Sequence, residues 1–248
     1  MSQSLRFNPL FEQTMTYYVG GYYLVEGTPI QKFMDGNILP YKIWSVSDCI
    51  SGLHPEYVTL TRVSADAEEI KDYRTKLGLT EEQFSQLQQE VDDLLAGNAL
   101  GWGKVFLNAD SARTFYKKHL SHISDIKLLA IATTENHRKT FLEDEEPFEN
   151  YLASGVFQCL QLATTINIED GFRGFEVLGH NSGEVHSFNC FSTEEYFRDE
   201  LKIEFNEQGL IRTLMEAEKG SEYLSNPDVA GERGYWMPWA ILELPLDP

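Results

Sequence analysis

Paired cysteines, a basic surface, a membrane-length apolar run and a catalytic signature are all missing from this chain of 248 residues. Each absence narrows what the protein can be. The three cysteines, Cys49, Cys159 and Cys190, are odd in number and scattered, with no C-x-x-C. That excludes a disulfide framework and suits a reducing compartment. No stretch reaches the length of a bilayer, and the opening MSQSLRFNPLFEQ has no basic-then-apolar leader pattern. No N-x-S/T acceptor occurs. The expectation is a soluble, cytoplasmic protein with no membrane partner.

Positive charge is scarce. Lys and Arg number 20 against 39 Asp and Glu, a net of −19. The imbalance is concentrated from Asp125 onward, where 24 acidic residues face 9 basic ones. Such a field repels nucleic-acid backbones and anionic lipid, and it attracts basic proteins or cations. Catalytic signatures are absent too. GWGK and GERG are not phosphate loops, and neither G-x-S-x-G nor H-E-x-x-H occurs.

What is present is an ordinary globular composition, 42% hydrophobic and 24% charged, in a chain long enough for a substantial core. Strand-forming residues crowd Thr14 to Gly27, with Gly20-Gly21 as a turn or bulge. YKIWSV (Tyr41 to Val46) and YVTLTRV (Tyr57 to Val63) are further strand candidates, and IKLLAIATT (Ile126 to Thr134) reads as a strand covered on both sides. Helices are expected after Val63 up to Gly78, and from the capping box Thr80/Gln83 to Gly97. Another is expected over NADSARTFYKKHL, one after the box Ser192/Glu195, and a last one around Leu210, Leu214 and Ala217. GVFQCLQLATTINI has no clear period, and its β-branched end favours strand there. The tail YWMPWAILELPLDP is expected to dock as a strand. Strands mixed with helices, without a βαβ rhythm, predict an α+β fold with a mixed or antiparallel sheet. A single domain over 1–248 is expected, with two lobes joined near 98–104 as the variant.

The stretch FEVLGHNSGEVHSFNCF, Phe175 to Phe191, holds the densest set of reactive residue types. A three-residue loop at Asn181, Ser182 and Gly183 would pair His180 with Glu184, Leu178 with His186 and Glu176 with Phe188. It would leave His180 at an exposed tip. His186 would be a base oriented by Glu176, and Cys190 would lie ~13 Å further along the same face, out of reach of the imidazole. Cys49 with His54 is the other thiol–imidazole combination close in sequence. A hydrolase using a Cys/His or Asp/His pair would therefore draw on Cys49, His54, His186 and Cys190. Against that stands the commoner role of such residues, a buried structural thiol and a hydrogen-bonded strand histidine. His119 and His122 would share a helix face, but no third metal ligand is evident, so neither metal nor cofactor is expected.

Tyrosines near the N-terminus and Trp236 and Trp239 near the other end suit either a binding surface or the core, and core is the expectation. The functional expectation from the residues alone is a non-enzymatic, inhibitor- or immunity-like module that captures a basic protein. The acidic run Glu143, Asp144, Glu145, Glu146 and Glu149 would be its contact loop. It lacks the spaced ligands and glycine of a calcium loop.

Overall fold

The computed structural model describes residues 15–26, 43–47, 50, 67–101, 105–144, 154–169, 171–181, 184–191, 193–226, 228–229 and 234–247. Eight strands form one antiparallel sheet: β1 (Tyr17–Glu26), β2 (Leu100–Gly101), β3 (Val105–Phe106), β4 (Ile126–Thr134), β5 (Thr165–Ile166), β6 (Phe172–Asn181), β7 (Glu184–Ser187) and β8 (Tyr235–Leu244). Their spatial order is β2-β3-β1-β4-β8-β6-β7, with β5 added at the start of β1. The α+β expectation, with an antiparallel sheet and packed helices, describes this architecture.

Helices cover both faces. Strand side chains alternate sides, so each strand feeds two cores. In β4, Leu128, Ala130 and Ala132 join one cluster while Leu129 and Ile131 join the other. The first cluster is closed by α2 (Glu81–Ala96), α3 (Ala109–Phe115), α6 (Thr193–Asp199) and α7 (Leu214–Leu224), with α1 (Ala67–Lys76) at its rim through Ile70. The second is closed by α4 (Glu135–Asp144), α5 (Ser154–Leu162) and the segment 43–47. Among the described residues no helix is long and apolar enough to cross a membrane.

Local signals explain most boundaries. Thr80 caps α2 through Gln83 N while Gln83 Oε1 accepts the Thr80 amide at 2.9 Å, so two orphan donors are satisfied reciprocally. Gly97 ends α2, but the left-handed residue is Asn98, with φ of 52°. Gly20 is a β-bulge: the β1–β4 register shifts between Val19 and Gly21, and the side-chain alternation changes phase there. A Cβ on Gly20 would sit 2.2 Å from the Trp239 ring, so only glycine fits this approach.

Several sequence expectations are corrected. The helix after Asn108 passes from α3 into a π turn over Tyr116–Leu120. Leu210 is not on α7, which starts at Leu214 behind the cap Thr213; it is buried in the opposite core cluster. Of the described part of YKIWSV, 43–46, Ile43 forms a bridge, and 44–47 run without strand pairing. Tyr57 to Val63 and the Ser192 cap lie outside the described residues. The ambiguous segment 155–168 splits into α5 and the short β5. The four residues opening the acidic run, Phe141 to Asp144, are the last turn of α4, with Phe141 buried. Tyr17, Tyr22, Tyr23, Trp236 and Trp239 are core residues.

Candidate functional site

The β6–β7 hairpin differs from expectation by one residue. Asn181 pairs with Glu184, His180 with Val185, Gly179 with His186 and Leu178 with Ser187. Two residues, not three, lie between the last paired positions. A one-residue slip exchanges the faces of every side chain on the strand. His186 therefore shares its face with Val177 and Phe175, and Glu176 points to the opposite face with Leu178, His180 and Ser187. The expected Glu176–His186 couple does not form.

His180 is not at an exposed tip. It is buried against Phe141 (centroids 5.5 Å apart) and Trp239 (5.4 Å), with Nε2 lacking a hydrogen-bond partner. Burial, aided by repulsion from His186, pushes its pKa down to about 4. It is neutral at physiological pH.

Strand β7 ends at Ser187, and Phe188–Phe191 turn as a 3-10 helix. The turn replaces the expected extended spacing of His186 and Cys190. It curls Cys190 back so that its Sγ accepts the Ser187 amide at 3.3 Å and lies 3.2 Å from Ser47 Oγ. Segment 43–47 thus crosses the second face of the sheet, with Trp44 under the Lys127 ammonium (4.8 Å) and Ser45 and Ser47 buried. Beneath them lies Glu176, fully buried. Burial pushes its carboxyl up to about 7, against the pull of the Ser187 and Ser45 hydroxyls and the Val46 amide. Neither carboxyl oxygen makes a hydrogen bond of ordinary geometry. This seam pins the 43–47 segment to the sheet, and burial there moves the ionisation of Glu176 up to the neutral range.

Of the remaining candidates, Cys49 and His54 lie outside the described residues. Cys159 is on α5 in the second core, where burial pushes its thiol up to about 12. His119 and His122 part company: His119 Nε2 meets Glu90 Oε2 at 2.7 Å, and His122 Nε2 meets the Leu77 carbonyl at 2.7 Å. Lys118 also reaches Glu90, and together the two partners outweigh burial and hold that carboxyl below its usual range. Among the described residues no group of three or more His, Cys, Asp or Glu side chains could hold an ion. A surface groove of about 380 Å³ is lined in part by Arg173, Asn206 and Arg212. Arg173 is paired there with Glu243 at 2.6 Å.

Of the acidic run, Glu143 is exposed on α4 and Asp144 ends that helix. Glu145, Glu146 and Glu149 lie outside the described residues. A second acidic surface was not singled out by sequence. Between Thr193 and Val229, ten acidic residues face four basic ones. Asp199 on α6, Glu200 just after it, and Glu218 and Glu222 on α7 are exposed, and so are Tyr196 (39%) and Met215 (65%). Tyr196 stacks on Tyr223 with centroids 4.2 Å apart. The signal was available: Phe197 and Leu201 define the inward side of α6, which leaves Tyr196 on the acidic side. No protein-family model, curated protein or solved structure matches this chain.

Proposed function

We propose that the protein is a non-enzymatic acidic binding module, inhibitor- or immunity-like in kind, that captures a basic protein partner. The observation that supports this best is the set of exposed carboxylates on and next to α6 and α7, two helices that also carry the exposed side chains of Tyr196 and Met215. Carboxylates steer a cationic partner and set its orientation. Aromatic and thioether side chains supply the desolvated contact that charge alone does not. Glu143, exposed near the end of α4, adds to the negative charge of the described surface. The reading requires no metal or cofactor, and three scattered cysteines without C-x-x-C suit a cytoplasmic setting.

The test is capture on the immobilised protein from lysate of its native source, washed at low and then high ionic strength. The expected result is one dominant basic protein, retained at low salt and released at high salt. Retention that ignores salt, or no retained protein, overturns the reading.

A further inference from the structure

A ladder of rings runs outward from the core to α6 and α7. Phe205 stacks on Phe188 (5.5 Å, 14°), Phe188 stacks on Phe197 (5.2 Å, 9°), and Tyr223 meets Phe197 edge-on (6.1 Å, 78°). Tyr196 then stacks on Tyr223 at 4.2 Å and 17°. Phe188 and Phe197 are fully buried, while Tyr196 remains 39% exposed. A lone surface tyrosine loses rotamer freedom when a partner lands on it. Tyr196 has already lost much of that freedom to the ring behind it, so it presents a preorganised flat surface.

The surroundings of that surface are anionic. The Glu200 amide bonds back to the Tyr196 carbonyl at 2.8 Å, in helical i to i+4 fashion, which sets the Glu200 side chain on the same side as Tyr196. Asp199, three residues after Tyr196, and Glu222, next to Tyr223 in the chain, are both exposed. Met215 and Lys219 continue the Tyr223 stripe along α7 at spacings of two turns and one turn. Lys219 is the one cation on that stripe.

An electron-rich ring face among carboxylates fits a guanidinium. It is planar, stacks on aromatic rings, stays charged and donates to carboxylates in pairs. We propose that the α6–α7 face docks an arginine-rich segment of the partner, with one guanidinium laid on the Tyr196 ring. This rests on the acidic-binder reading above. The molecule uses the same chemistry internally, with Arg198 lying over Phe205 at 5.8 Å.

The test is titration of the full chain with a nona-arginine peptide and a nona-lysine peptide at low salt. The arginine peptide is expected to bind more tightly. Tyr196→Ala is expected to weaken it about fivefold and to narrow the arginine–lysine gap, while Tyr196→Phe keeps both. Glu222→Lys is expected to weaken binding at least as much, Lys219→Gln to tighten it, and Glu143→Lys, on another helix, to weaken it less than Glu222→Lys. Circular dichroism of each variant separates a lost contact from a lost fold; if Tyr196→Ala unfolds, the Glu222→Lys and Glu143→Lys pair decides. If wild type binds the peptide but Tyr196→Ala and Glu222→Lys bind as well as wild type, this docking face is wrong and the acidic-binder reading stands. If Glu143→Lys weakens binding more than Glu222→Lys, docking moves to the α4 end. If wild type binds neither peptide, both readings fall.

Discussion

Gly179 and His186 lie directly opposite each other in the β6–β7 ladder. A Cβ on Gly179 would come within 2.7 Å of the Trp236 indole, which covers that position. The pairing fixes which polar residues share a side, and it leaves Glu176 buried among Ser45, Val46 and Ser187 rather than beside an imidazole.

Glu176 should therefore make stability depend on pH in a direction opposite to that of most carboxylates. Its folded pKa, about 7, exceeds its ordinary value of 4.5. The stabilising contribution is complete below 4.5 and is lost as pH rises through 7. Replacing it by Gln removes this dependence. Urea unfolding of wild type and Glu176→Gln across pH 4 to 8 should show the variant gaining on wild type by roughly 3 kcal/mol as pH rises. Parallel pH profiles would show that folding leaves the carboxyl at its ordinary pKa and that the burial does not raise it.

His180 works the other way. Its folded pKa is depressed to about 4, so its neutral burial stabilises fully above 6.5 and is lost as pH falls through 4. His180→Leu should lose less stability than wild type between pH 7 and 4. An imidazole resonance that titrates near 6.5 in the folded state and is assigned to His180 would contradict the buried position.

Cys159 should be inert. With a pKa of about 12, its thiolate is roughly one part in 100,000 at neutral pH. Iodoacetamide at pH 7 followed by peptide mapping should leave it unlabelled until denaturant is added. Labelling at the rate of an unhindered thiol would mean that α5 leaves the second core readily.

Two glycines should respond unequally to alanine. Gly20→Ala drives a methyl into Trp239 and against Ile131 in the bulge, and should cost about 1–3 kcal/mol or more in denaturant unfolding. Gly97 has φ of −84° and its nearest prospective neighbour, the Asp93 carbonyl oxygen, is 3.2 Å away, so Gly97→Ala should be close to neutral. Equal costs would mean that the bulge relaxes to admit the side chain.

Much of the fold was legible because its signals are local. The Thr80/Gln83 box, the apolar run of β4 and the bulge at Gly20 each follow from a few adjacent residues. The hairpin was legible as a hairpin, but Asn181-Ser182-Gly183 suits a two-residue or a three-residue loop equally, and choosing between them exchanges the faces. What selects the register is remote: Trp236 over Gly179, and Trp239 and Phe141 around His180. The seam at Glu176 was hidden for the same reason, since Ser45 and Ser47 are brought to it by tertiary packing alone. The outward position of Tyr196 was legible from Phe197 and Leu201, but its stacking on Tyr223 joins two helices distant in sequence and was not.

β8 is the last strand in chain order, yet it lies between β4 and β6 in the interior of the sheet. During synthesis, β1 with β4 and β6 with β7 can form as two separate ribbons, each with an edge awaiting the same strand. The ribosome must release the residues around Tyr235–Leu244 before either ribbon gains its neighbour. Until then the nascent chain displays two open edges, the state in which strand-capturing aggregation and chaperone engagement occur.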